Sequence, residues 1–497
     1  MKPSTAILAG AALATPIASA LKLSAPPGPK PKTISLPIER IHIPNIASRE
    51  KRRRHKRQGN GIVEQELDND TFLYYANITL GTPEQEIRLH IDTGSSDLWV
   101  NTADSSFCSS RQDPCEGGTY DSSASSTHKL VNNVFNISYV DGSSASGDYV
   151  SDTLGFGGVT LDDFQFGIGE ISSSEQGVLG IGYAINEVQV NRAGLDAYPN
   201  LPVALVDAGH IATPAYSLWL NDLGAATGEI LFGGVNTERY EGSLATVPII
   251  RTYGDYYELV IALTGLSLGG DRISSSSLPA GVLLDSGATL SYLPNDIVQV
   301  LYDEIQAVYV ADVGAAYARC SLASNDATFD FEFSGKTISV SFNEMILTEG
   351  ITTSGQPLTF TNGDTACLFG IAPADGSIAI LGDTFLRSAY VVYDLENNEI
   401  SLAQTRFNTT ADDIREITSG SSVPGATPVP SPVTSVNAEG GGARLGTEAT
   451  GTVTGFGSPS ATGGSSSNAA GGSMAEMVPL SAAVVAAVGI LGAMLAL

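Results

Sequence analysis

The sequence is poor in cysteine, in histidine and, over most of its length, in positive charge. Four cysteines in 497 residues are too few for a disulfide scaffold, though enough for two staples. Five histidines (His42, His55, His90, His128 and His210) fall at no metal-ligand spacing. No Ser–His–Asp order and no catalytic-cysteine motif stands out. Neither a metal nor a cofactor is therefore expected. Lys and Arg total 25 against 53 Asp and Glu, a formal net charge of −28. That balance argues against nucleic-acid binding, which needs a basic face. Helical periodicity is rare, while the 54 glycines and abundant Ser and Thr favour short strands and turns. Wholesale disorder is excluded, because 42% hydrophobic and 16% charged is a globular profile. The length exceeds one compact core and suggests two or three units.

The scarce positive charge sits at one end. Residues 1–57 hold 12 Lys and Arg but only two acids, Glu39 and Glu50. Taking these from the totals of 25 and 53 leaves 13 basic against 51 acidic side chains from Gln58 onward. Such asymmetry marks a removable segment. Lys2, the apolar run Ala6–Ala14 and the small residues Ala18-Ser19-Ala20 read as a secretory signal over 1–20. The plainer alternative is a short buried helix. Residues 21–57 form a Pro-rich basic propeptide ending in Lys51-Arg52-Arg53-Arg54-His55-Lys56-Arg57. That run fits a dibasic-cleaving convertase. A solvated or nuclear-targeting basic run is the bland reading, and the signal disfavours the nuclear one.

The other end is low in large apolar residues, then has nothing else. Residues 408–468 are rich in Ser, Thr, Gly and Pro and read as a stalk. Val478–Leu497 is apolar and uncharged, and no Lys or Arg follows it. It is long enough to span a bilayer. A small-residue site, a polar spacer and a hydrophobic tail predict a GPI-anchor signal over 469–497, removed after attachment at Asn468. Ser467 and Gly471 are rival attachment points, and a plain tail anchor is the alternative. The expected address is the outer face of the plasma membrane, or the cell wall.

The middle, 58–407, reads mostly as strands. Ala76–Leu80 and Ile87–Ile91 lie between turn residues. Helices are expected over 295–309, with Ile297, Leu301, Ile305 and Val308 on one face, and over Leu201–Ala208. A weak repeat is present. His90-Ile91-Asp92-Thr93-Gly94-Ser95-Ser96 returns as Leu283-Leu284-Asp285-Ser286-Gly287-Ala288-Thr289. Each copy has a later apolar-apolar-Gly partner, Val178-Leu179-Gly180 and Ile380-Leu381-Gly382. One Asp-hydroxyl-Gly is usually a turn; two at domain spacing carry more.

Two such turns meeting at a pseudo-twofold axis bring two carboxyls together. Both cannot ionise at that separation, so they share one proton. One acts as base and one as acid, and a water between them becomes the nucleophile. Thr93 and Ser286 would fix the turns by hydrogen bonds across the axis.

On these residues the chain resembles the pepsin-like aspartic proteases over roughly 70–407. Asp92 through Val100 is similar to the family's first active-site segment. Ile380–Arg387 with Tyr390–Asp394 is similar to its C-terminal signature. The resemblance implies an all-β, bilobal fold, with lobes over 58–245 and 246–407 and a deep cleft for extended peptide or protein substrates. It implies Asp92 and Asp285 as the catalytic pair, Ser95 as support for Asp92, and Tyr139 as the flap tyrosine, reaching toward Trp99. It also implies within-lobe pairing, Cys108 with Cys115 and Cys320 with Cys367, out of three possible pairings. A monomer is expected. Two departures stand out. Val140 follows the flap tyrosine where Gly is usual, and Ala288 lacks a hydroxyl common there. Asp141 sits where some fungal relatives use an acid to accept Lys, as in the GPI-anchored yapsin-like branch; as a turn residue it needs no such role. Asn77, Asn136 and Asn408 begin N-glycosylation sequons. The basic 21–57 segment is expected to lie against the acidic cleft as an inhibitor. The alternative function is an inactive surface binding protein of the same fold. A structural wall glycoprotein is a third reading, resting on the stalk and anchor alone.

Overall fold

The structure, a computed structural model, describes residues 31–44, 70–110, 115, 117–140, 142–252, 254–311, 314–349, 357–437 and 453–454. Strands dominate these residues and helices are short. The strands β1 (Ile34–Pro44), β2 (Asp70–Leu80), β3 (Gln85–Asp92), β4 (Leu98–Asn101), β5 (Lys129–Ser138), β6 (Ser144–Phe156) and β7 (Val159–Gly169) belong to one sheet of 15 strands. The same sheet continues through Ala215–Trp219, Thr227–Phe232, Tyr240–Pro248, Ala389–Asp394 and Glu399–Thr405. Smaller sheets of five, four and four strands build the region from Val260 to Leu381. Alternating apolar residues explain the arrangement, since one face of each strand can be buried while the other stays wet. The boundary expected at 245/246 falls inside the strand Tyr240–Pro248. That strand pairs with Glu399–Thr405, so the sheet crosses from one half to the other.

Strand β1 belongs to the segment expected to be a removable head. It pairs antiparallel with Thr227–Phe232 on one side and with β2 on the other. Ile34, Leu36 and Ile38 are buried, while Ser35, Pro37 and Glu39 are exposed. This period-two pattern makes an interior strand. Residues 34–44 thus fill a place in the sheet instead of lying loosely along the cleft. Arg40 adds side-chain hydrogen bonds to the carbonyls of Leu223 and Asp222.

The stalk expected from residue 408 starts later than expected. Ile414–Glu416 pairs with Gly234–Asn236, and Ala426–Pro428 pairs in parallel with Leu244–Thr246. Ile417, Val423 and Val429 are buried. Val433 N–H donates to Ser334 Oγ at 3.0 Å, and Asn437 Nδ2 donates to Leu278 O at 2.8 Å. A few well-spaced apolar residues suffice here because the sheet edge supplies the partner surface. Residues 408–437 therefore form a strap on the folded body.

Helices α1 (Val188–Ala193) and α2 (Leu201–Asp207) precede α3 (Asn295–Ile305). Ile297, Leu301 and Ile305 are buried on α3 as expected. The helix ends before Val308, with Gln306 in the left-handed region. Val308–Val310 is a strand pairing with Ala315–Tyr317, as its β-branched residues favour. No helix among the described residues is long and apolar enough to cross a membrane. The signal, the basic run Lys51–Arg57, Asn468 and the apolar tail lie outside those residues.

Candidate active site

Strand β3 ends at Asp92. It runs parallel to Val178–Gly180, placing Asp92 opposite Gly180. In the second half Ala280–Leu284 ends just before Asp285 and runs parallel to Ala379–Leu381. The two repeats and their two apolar-apolar-Gly partners therefore make the same local structure twice. Parallel strands buried on both faces need apolar side chains throughout, and Ile91, Leu179, Leu284 and Leu381 are all buried.

The two turns lock together. Thr93 Oγ1 donates to Leu284 O at 2.8 Å and accepts from Ser286 N–H at 3.0 Å. Ser286 Oγ donates to Ile91 O at 3.0 Å and accepts from Thr93 N–H at 3.2 Å. Each hydroxyl thus bonds the backbone of the opposite half. The glycines allow the close approach. A Cβ on Gly94 would lie 2.7 Å from Asp285 Oδ1, and one on Gly287 would collide with Asp92 Oδ1. Asp92 and Asp285 are both buried and face the opposite turn's glycine.

The turn that carries each carboxylate also supports it. Asp92 accepts from Gly94 N–H at 2.8 Å and from Ser95 Oγ at 2.5 Å. Asp285 accepts from Gly287 N–H at 2.7 Å. Ala288 has no hydroxyl to offer where Ser95 offers one. Above them, Tyr139 ends the β5–β6 hairpin, with Tyr139 N–H donating to Ser143 O at 2.8 Å. Trp99 Nε1 donates to Tyr139 Oη at 2.7 Å. Burial, and then the nearby Asp92, push the Tyr139 phenol well above its ordinary value, so it stays a neutral donor and acceptor. Asp141 lies outside the described residues.

Cys108 pairs with Cys115 and Cys320 with Cys367, the within-lobe pattern. Among the described residues no cluster of His, Cys, Asp or Glu is suited to a metal. Asn77 and Asn136 are exposed on β2 and β5. Asn77 borders a groove of about 790 Å³ that contains neither aspartate. Asn136 accepts from Arg192, and the exposed Asn408 donates to Asp222.

The sequence reading missed two buried polar groups. Arg387 and Glu344 form a fully buried ion pair, and Glu344 Oε1 also accepts from Leu223 N–H at 3.0 Å. Asp97, in the first active-site segment, accepts from Tyr149 and Tyr198 hydroxyls and from Val188 N–H. Neither has a local signal, because the partners lie tens of residues away.

With this geometry in place, residues 73–405 match the family described as Eukaryotic aspartyl protease. The chain belongs to that family, as a pepsin-like aspartic endopeptidase. It is 52% identical over 462 residues to the probable aspartic-type endopeptidase opsB of Aspergillus oryzae, covering 92% of this chain and 93% of that protein. It is 36% identical over 392 residues to aspartic proteinase yapsin-3 of Saccharomyces cerevisiae, covering 76% and 74%. A crystal structure of an aspartic proteinase from Irpex lacteus shares the fold, with TM-score 0.56 and 22% identity, over 69% of this chain and 96% of that one.

Proposed function

We propose that the protein is a secreted, surface-anchored aspartic endopeptidase in which Asp92 and Asp285 share one proton across the axis. The observation carrying this reading is the reciprocal Thr93–Ser286 bonding, which sets the two Asp-bearing turns face to face. One carboxyl takes a proton from a bound water while the other gives one to the scissile carbonyl oxygen. The water attacks the carbonyl carbon, giving a tetrahedral diol. Collapse then expels the amine, which takes up a proton. Ser95 holds Asp92, and Tyr139, steadied by Trp99, covers the substrate. No covalent intermediate forms.

Secretion rests on the signal-like residues 1–20, and anchoring on the 469–497 pattern with Asn468 as attachment point. Asn77, Asn136 and Asn408 are the glycan acceptors, and a dibasic convertase trims the chain near Arg57. Asp141 and the acidic body favour Lys or Arg next to the scissile bond. Cleavage of paired peptide sets tests the preference. Faster hydrolysis at Lys and Arg than at Phe and Leu supports it; a purely hydrophobic preference removes it. Release of activity from intact cells by a phosphatidylinositol-specific phospholipase tests the anchor.

A further inference from the structure

Two carboxyl groups lie buried behind the catalytic turn, and the chemistry above uses neither. Asp97 and Glu187 are fully inaccessible. Asp97 follows the Asp92–Ser96 segment directly and stands two residues before Trp99. Its Oδ1 accepts from Tyr149 Oη at 2.5 Å and Tyr198 Oη at 2.9 Å, and its Oδ2 accepts from Val188 N–H at 2.9 Å. These donors come from β6, from the loop after α1, and from α1 itself. Asp97 thereby ties three elements to the catalytic turn. Its own backbone carbonyl accepts from Gly180 N–H at 3.1 Å, the residue opposite Asp92.

Glu187 immediately precedes α1. Its Oε2 accepts from Tyr198 N–H at 2.9 Å, and its Oε1 is buried without a hydrogen-bond partner. Tyr149, Val188 and Tyr198, which bond these acids, belong with Trp99 and Phe135 to one buried apolar cluster. The titratable groups facing the pair are the phenols of Tyr149 and Tyr198, with Tyr139 of the flap further off. Arg192 of α1 is turned toward the Asn136 carbonyl and side chain. Among the described residues neither acid has an ion pair. Two carboxylates in such a site cannot both stay charged. Burial pushes the Asp97 carboxyl up as well, but the hydrogen bonds from Tyr149, Val188 and Tyr198 oppose it, and these three donors make Asp97 the better suited of the two to be the carboxylate. Glu187, with one donor and one orphan oxygen, is suited to be the neutral acid.

We propose that Asp97 is a positioning residue for peptide cleavage, holding the catalytic turn and the flap-supporting Trp99, and that it does so only while Glu187 stays neutral. This deepens the protease reading and rests on it. Burial, opposed by the Tyr198 N–H and reinforced by Asp97, pushes the Glu187 carboxyl up to about 10. The folded protein therefore keeps a proton that the unfolded chain releases. The stabilisation is complete below the ordinary carboxyl range and is lost as pH rises toward that raised value. Over that span the unfolding constant grows by as much as about tenfold per pH unit.

The test is Glu187→Gln in the full chain, scored by the pH at which half the cleavage is irreversibly lost. Near-ultraviolet circular dichroism reads the same midpoint without any substrate. The variant is expected to keep cleaving at a pH where the wild type has stopped, its midpoint raised by at least about one pH unit. An unmoved midpoint overturns the proposal. Should Glu187→Gln not fold, Glu187→Met also removes the ionisable carboxyl and must raise the dichroism midpoint; failure to do so overturns it equally. Absence of cleavage by the wild type at every pH would instead refute the protease reading, and the dichroism midpoint would still decide this one.

Discussion

Thr93 and Ser286, 193 residues apart, each hold the other's turn through a backbone N–H and a hydroxyl. Each hydroxyl also reaches the carbonyl preceding the opposite aspartate, Leu284 O and Ile91 O. Four hydrogen bonds thus fix the relative position of Asp92 and Asp285 without any direct contact between the two carboxyls being needed.

Thr93→Val keeps the shape of the side chain and removes its hydroxyl. Ser286 N–H then loses its partner in a buried site, and Leu284 O keeps only the longer bond from Tyr393 Oη at 3.4 Å. An orphaned buried group costs about 1–3 kcal/mol. Urea unfolding should show a loss in that range or above it, and peptide cleavage should fall further than stability alone explains. A variant as stable as the wild type would mean that the cross-axis bonds are dispensable.

The strap makes a second prediction. A chain ending after Asn437 should unfold at the temperature of the full chain. A chain ending after Phe407 loses Ile417 and Val423 from the core, at about 1.5–3 kcal/mol for each side chain. Its melting temperature should drop by several degrees. Equal melting temperatures for the two would restore the plain stalk reading of 408–437.

How much of this was legible in the sequence differs from feature to feature. The Asp-hydroxyl-Gly repeat and its partners were legible because each is one apolar strand with a glycine at its end. β1 was not, since the basic and proline-rich residues around it mask the period-two run Ile34, Leu36, Ile38. The strap was not, since its apolar residues are few and are buried by a sheet edge no local pattern reveals. Asp97 stood in a recognised motif, but its donors Tyr149 and Tyr198 come from distant segments. Val308 fits the α3 face by spacing, yet the chain turns at Gln306 and pairs as a strand.

Glu258 supplies a pH prediction. It is buried, and burial pushes its carboxyl up to about 7. Its contribution to stability is full below the ordinary carboxyl range and is lost as pH rises through about 7. The loss is up to about 1.4 kcal/mol per pH unit over that span. Glu258→Gln should flatten this part of the stability–pH curve. Parallel curves for variant and wild type would show that Glu258 does not titrate with folding.

Peptide cleavage rests on the two aspartates. Asp92→Asn keeps the size of the side chain and removes its acid–base chemistry. The purified variant should match the wild type in circular dichroism and lose at least about 10³-fold in peptide-cleavage rate at acid pH. Asp285→Asn should do the same. A folded Asp92→Asn protein that still cleaves peptides within about tenfold of the wild type would contradict the shared-proton dyad.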